Sequence, residues 1–120
     1  MAGSKNVPLA TLGDAPTNVK TVVVGNPNNP DGCCDILGEF EALKMRGCQI
    51  IIDECFGAVA PEKSLIGEAD RPDVLVLKSF GKFFGLAGLR LGFAVGAPDI
   101  IGRLSAMIGP WAVPGPALHI

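Results

Sequence analysis

Lys82 lies in the run Ser79-Phe80-Gly81-Lys82, followed by Gly85-Leu86-Ala87-Gly88-Leu89-Arg90-Leu91-Gly92, directly after the apolar stretch Val74-Leu75-Val76-Leu77. A lysine amine at a strand end can condense with an aldehyde once it is neutral, a form that burial or a nearby positive charge promotes. A hydroxyl stands three residues before it and a guanidinium eight residues after. Serine hydroxyls and the planar fork of arginine are suited to phosphate oxygens. The run therefore predicts a site that takes a phosphorylated aldehyde through an imine. Two further groups occupy comparable places. Asp53 closes the apolar stretch Ile50-Ile51-Ile52, and Asn29 lies in the loop Gly25-Asn26-Pro27-Asn28-Asn29-Pro30-Asp31-Gly32 after Val22-Val23-Val24.

Each group meets a separate demand of pyridoxal 5'-phosphate. Its aldehyde needs a lysine, for which Lys82 is the candidate. Its pyridine nitrogen has to stay protonated for the ring to draw electrons from a substrate, and a carboxylate such as Asp53 favours that charged form. Its phenolic oxygen needs a donor, which the Asn29 amide supplies. Its phosphate is served by Ser79 and Arg90. Glu54 follows Asp53, so the alternation of a strand turns it to the other face.

The elements that must position these groups alternate along the chain. Val19 to Val24 reads as a strand, stopped by the prolines and glycines of the loop after it. A helix is expected from about Cys34 to Met45, with Ile36, Leu37, Phe40 and Leu43 at helical spacing. Asp35 and Glu39 lie near its start, Lys44 and Arg46 near its end, and Gly47 closes it. Gln49 to Glu54, Asp73 to Leu77 and Leu89 to Val95 read as strands, and Pro98-Asp99 opens a helix to about Ile108. Strand, helix and strand in that order predict a parallel βαβ unit. In open α/β sheets ligands gather at the carboxyl ends of the strands, where Asn29, Asp53 and Ser79 to Lys82 all fall.

With 120 residues, one domain is expected. An apolar fraction of 48% suits strands covered on both faces, or a piece of something larger. Ten basic against twelve acidic residues, with no basic block, give no reason to expect nucleic acid or an anionic membrane. No run reaches the roughly 20 apolar residues of a membrane span, and Met1 to Asn6 lacks a signal-like apolar region, so a cytoplasmic protein is expected. Cys33, Cys34, Cys48 and Cys55 form no C-x-x-C and His119 is the one histidine, so no metal site is expected and the thiols read as reduced. Trp111, Phe80, Phe83 and Phe84 read as packing residues. A dinucleotide site at Gly85-Leu86-Ala87-Gly88 is disfavoured, because the glycine order is wrong and a strand follows where that fingerprint opens a helix.

Four ordered segments carry a resemblance to a known family: Asn26-Pro27-Asn28-Asn29-Pro30-Asp31-Gly32, Asp53-Glu54-Cys55-Phe56, Ser79-Phe80-Gly81-Lys82 and Gly88-Leu89-Arg90-Leu91-Gly92. The chain resembles the fold-type I pyridoxal phosphate enzymes of the class I/II aminotransferase family, in the branch that holds histidinol-phosphate aminotransferase and the threonine-phosphate decarboxylase of cobalamin biosynthesis. The resemblance implies the central part of the large cofactor-binding domain, a three-layer αβα arrangement with a mostly parallel sheet. Residues 1–120 would form part of that domain, with the family's N-terminal segment and small C-terminal domain absent.

The resemblance implies Lys82 as the Schiff-base lysine, Asp53 on the pyridine nitrogen, Asn29 on the phenolic oxygen, and Ser79 with Arg90 on the phosphate. Phe56 stands where the aminotransferases usually carry a tyrosine that also bonds the phenolic oxygen. Phenylalanine there, with Gly109-Pro110-Trp111-Ala112-Val113, resembles the decarboxylases. The implied substrate is a small amino acid or phosphoamino acid, and the implied assembly a homodimer. An aminotransferase remains the alternative, and so does a noncatalytic remnant, since Arg46, Arg71 and Arg103 offer no obvious clamp for a substrate carboxylate. Should these residues be the complete product, weak cofactor binding and little turnover are expected.

Overall fold

In a computed structural model of the chain, residues 18–34 and 36–119 are described; Asp35 and Met1 to Asn6, used above, lie outside them. The elements are β1 (Thr21–Gly25), α1 (Leu37–Met45), β2 (Gln49–Asp53), β3 (Val74–Ser79), β4 (Gly92–Gly96) and α2 (Pro98–Ile108). The strands form one sheet in the order β1-β2-β3-β4. β1, β2 and β3 are parallel, and β4 returns antiparallel to β3. The mostly parallel α/β architecture expected from the alternation is present.

One face of the sheet holds the core. Val22, Val24, Ile50, Ile52, Val74 and Val76 alternate along the strands and pack with Ile36, Phe40 and Leu43 from α1 and its entry. Full burial of one such side chain stabilises by about 1.5–3 kcal/mol, so this seam dominates the fold's energetics. Cys48 is buried in the same cluster as a small apolar residue, as expected of a free thiol beside a core strand. The opposite face is covered at β3 and β4. There Leu75 is buried, and a methyl at its register partner Gly96 would meet Leu75 Cδ1 at 3.1 Å and Ile101 Cδ1 of α2 at 3.6 Å. α1 and α2 therefore serve different faces.

Several boundaries differ from those expected. α1 begins at Leu37 instead of Cys34, no side chain caps its start, and Leu37 is exposed while Ile36, Phe40 and Leu43 carry the core. Its end is as expected, with Gly47 in the left-handed region at φ +67°. The segment Leu89 to Val95 is not strand throughout. Ala87–Leu89 is a 3-10 turn and β4 starts at Gly92. The parallel β2 to β3 connection is made without an α-helix, by 3-10 turns at Gly57–Val59, Pro61–Lys63 and Ile66–Glu68. Pro61, Gly67 and Pro72 punctuate this stretch too closely for a regular helix. Trp111 is 91% exposed, so its reading as a packing residue is corrected.

Candidate cofactor site

Register brings the three parallel strand ends level. Gly25 of β1 pairs with Asp53 of β2, and Asp53 with Leu77 of β3. The ladder continues one residue past β1 and β2, because the Asn26 amide donates to the Asp53 carbonyl and the Glu54 amide to the Leu77 carbonyl, each at 2.9 Å. Whatever follows each strand thus emerges at one edge of the sheet.

After β1, the loop that carries Asn29 is held by Asp31. The Asp31 Oδ1 accepts from the Cys33 amide and from Asn28 Nδ2, both at 3.0 Å. The Cys33 and Asn28 donors hold this carboxyl below the usual aspartate range. Gly32, in the left-handed region at φ +70°, completes the turn. Asn29 itself is exposed.

After β2 and β3, four of the sequence candidates meet around Cys55. Asp53 is exposed and its Oδ1 accepts from the Cys55 amide at 3.0 Å. Burial, followed by the hydrogen bond and charge of Asp53, pushes the Cys55 thiol up to about 11, against smaller opposing pulls from the Ser79 hydroxyl and the Lys82 charge. One thiol is thus influenced by Asp53, Ser79 and Lys82 together. It stays protonated at neutral pH and is a poor nucleophile. The Lys82 ammonium lies 5.7 Å from the centroid of the Phe56 ring, within cation–π range.

Ser79 shapes the lysine turn as well as facing the site, since its Oγ accepts from the Gly81 amide at 3.0 Å. The turn is braced on its other side by aromatic rings. Phe80 stacks against Phe84 at 5.1 Å and Phe93 at 5.5 Å, and Phe83 meets Phe84 edge-on at 5.1 Å. Phe80, Phe83 and Phe84 therefore pack as expected, but on one another and Phe93, with Phe83 and Phe84 still half exposed. Arg90 takes the left-handed region at φ +52°, and its guanidinium donates back to the Ala87 carbonyl at 3.1 Å.

The structure thus assembles Asp53, Phe56, Ser79 and Lys82, whereas Asn29 and Arg90 stand on adjoining loops with no hydrogen bond or ion pair to them. A cavity of about 580 Å³ opens beside the cluster, bounded by Glu54, Ser64, Lys78, Phe84 and Phe93. Cys55 and Ser79 also line it, whereas Lys82, Asp53, Asn29 and Arg90 do not, so the volume meets the candidate site along Cys55 and Ser79 only.

The donor set suits pyridoxal phosphate on chemical grounds. Among the described residues Lys82 has no ion-pair partner, which leaves its amine available. The Asp53 carboxylate one strand away is open to solvent, and a hydroxyl and a guanidinium flank the lysine. Residues the sequence reading did not single out lie behind these: Asn26, Gly57, Ser64 and Lys78 surround Glu54. The alternation at Asp53-Glu54 signalled only that Glu54 would turn to the other face.

Known proteins bear on this arrangement. The model of the class I and II aminotransferase family matches residues 8–120. A threonine-phosphate decarboxylase of Pseudomonas aeruginosa is 42% identical over 107 residues, which are 86% of this chain and 32% of that protein. Among solved structures, the L-threonine-O-3-phosphate decarboxylase of Porphyromonas gingivalis aligns with a TM-score of 0.76 at 26% identity, over 88% of this chain and 34% of that one. The histidinol-phosphate aminotransferase of Sinorhizobium meliloti, solved in complex with pyridoxal-5'-phosphate, aligns with a TM-score of 0.62 at 29% identity, over 79% of this chain and 27% of that one. The chain belongs to the class I and II aminotransferase family, whose members here are decarboxylases and aminotransferases acting on small amino-acid-like molecules. It spans about a third of the length of the relatives it matches.

Proposed function

We propose that residues 1–120 form the central part of a large cofactor-binding domain, that Lys82 carries pyridoxal 5'-phosphate there, and that the activity served is threonine-phosphate decarboxylation. The observation that supports this best is the strand register that sets Asp53 level with Leu77 just before Ser79, with the Cys55 amide bonded to Asp53 at 3.0 Å and the Lys82 ammonium 5.7 Å from the ring of the adjacent Phe56. Bound at Lys82, the cofactor supplies an electron sink for a bond at the substrate's α-carbon. The chain's own groups do the rest. Asp53 keeps the ring nitrogen protonated, and the Asn29 amide donates to the phenolic oxygen. Ser79 and Arg90 hold the phosphate, and the Lys82 amine returns a proton to the substrate's α-carbon after CO2 leaves. Phe56 contributes a ring face and no hydroxyl, which together with 42% identity to a decarboxylase favours decarboxylation over amino transfer. The substrate is a phosphorylated amino acid, and by family likeness the assembly is a cytoplasmic homodimer.

Borohydride reduction of the chain mixed with equimolar pyridoxal phosphate tests the cofactor reading. Peptide mapping should find the label on Lys82 and not on Lys78, whose ammonium is held by Glu54. No label on Lys82 would remove the cofactor reading. Incubating the loaded chain with O-phosphothreonine then separates the activities: CO2 release supports the decarboxylase, and transfer of the amino group to a keto acid without CO2 selects the aminotransferase.

A further inference from the structure

Behind the residues assigned to the cofactor, a second polar group is packed almost out of reach of water. Glu54 is 1% exposed and lies on the face opposite Asp53. Its Oε1 accepts from Asn26 Nδ2 at 3.0 Å and from the Leu65 amide at 2.7 Å. Its Oε2 accepts from the Ser64 hydroxyl at 2.6 Å and from the Lys78 ammonium at 2.5 Å. Two more bonds close the group: Asn26 Nδ2 donates to the Lys63 carbonyl at 2.9 Å, and Lys78 Nζ to Ser64 Oγ at 3.1 Å. Burial pushes the Glu54 carboxyl up, yet the donors from Lys78, Ser64, Leu65 and Asn26 outweigh it and hold the group below its ordinary value.

These partners come from three different strand ends. Asn26 opens the loop that carries Asn29, Glu54 sits between Asp53 and Cys55, and Lys78 immediately precedes Ser79. Ser64 and Leu65 tie in the turns that lead from β2 to β3. Gly57 leaves room for this: a methyl there would meet Glu54 Cβ at 3.0 Å and Glu54 Oε2 at 3.3 Å.

We propose that Glu54 is a positioning residue for the cofactor site. Its carboxylate clamps the ends of β1, β2 and β3 from the side away from the cofactor and so fixes the spacing of Asn29, Asp53 and Lys82. This purpose rests on the cofactor reading above, while the clamp itself has a readout that needs no ligand.

Two variants test it: Glu54→Gln, which keeps the shape and removes the charge, and Gly57→Ala, which removes no bonding group but brings a methyl to 3.3 Å from Glu54 Oε2 and 3.4 Å from Lys78 Nζ. The first readout is amide exchange at Asn26, Glu54 and Phe80, whose N–H groups bond across the strand ends at 2.9, 2.9 and 3.3 Å, compared with Ile50 at the other end of β2. Losing one charged hydrogen bond should raise exchange at the strand ends about tenfold and leave Ile50 unchanged. The second readout is pyridoxal phosphate affinity and the pH midpoint of borohydride labelling at Lys82, measured at equal folded fraction. Affinity should fall about tenfold and the midpoint should move, whereas Phe40→Leu, a core change in α1, should alter neither. Wild-type exchange at the strand ends in a folded variant would overturn the clamp, and so would equal effects from Phe40→Leu. If the unaltered chain takes no label on Lys82, the cofactor reading fails, and the exchange measurement still decides the clamp.

Discussion

Asp53 and Glu54 are neighbours in sequence and opposites in structure. Asp53 faces water and is bonded only within its own turn, to Cys55, whereas Glu54 is buried and accepts from four groups drawn from distant parts of the chain. The same contrast separates the two lysines of the motif. Lys78 is tied to a buried carboxylate, while Lys82 lies over an aromatic ring with no acidic partner among the described residues. One face of the strand ends is thus a buried hydrogen-bonded network, in which Asn26 Oδ1 is left without a partner among the described residues, and the other carries Asp53 and Lys82 exposed. A pleated strand gives both faces to the same few residues, so rigidity behind the site and availability in front of it need no additional segment.

The largest test of this contrast exchanges the fates of the two lysines. Lys82→Met should abolish borohydride labelling and shift unfolding free energy by less than about 0.5 kcal/mol, as for other exposed positions. Lys78→Met should do the reverse. It strands a buried carboxylate, and since the lysine side chain is 28% exposed, a cost of about 2–3 kcal/mol in urea unfolding is expected, below the range for fully buried pairs. Equal stability losses for both would dissolve the distinction between the faces.

Acid should act next most strongly, through the buried face. Glu54 has a folded-state value below its ordinary 4.5, so its stabilisation is fully present above that pH and is lost as pH falls through the lower folded value. Wild-type unfolding curves should therefore weaken on going below about pH 4.5, and Glu54→Gln should flatten that part of the profile. An unchanged acid limb in Glu54→Gln would assign the loss to other carboxylates.

The smallest effect concerns Cys55, which the open face perturbs. Asp53 raises the thiol, so Asp53→Asn should lower its pKa from about 11 and speed alkylation of Cys55 at pH 9 several-fold, as followed by mass spectrometry. An unaltered rate would show that burial alone sets the thiol.

Much of the open face was legible in the sequence because its residues follow strands directly. Asn29, Asp53, Ser79 and Lys82 could be located by finding where apolar runs stop, and parallel pairing then brings those ends level without long-range information. The closed face was legible only in direction. Alternation sends Glu54 away from Asp53, but Ser64, Lys78 and Asn26 lie 10, 24 and 28 residues away in the chain, and no local period encodes such pairings. Helix α1 shows the same limit at smaller scale. The spacing of Ile36, Phe40 and Leu43 identified the buried stripe, yet without a side-chain cap the start could not be fixed, and Leu37, placed with that stripe, is exposed. Trp111 failed for the opposite reason, since a large apolar side chain implies burial but cannot guarantee a neighbour.

Arg90 carries one more consequence. At φ +52° it occupies backbone space that glycine enters freely and that costs other residues about 1 kcal/mol or more. Arg90→Gly should therefore make the chain slightly more stable while weakening the hold on phosphate proposed for this residue. A screen for thermal robustness would favour glycine at this position and a screen for ligand retention would restore the arginine, so one codon would report which of the two pressures acts on the chain.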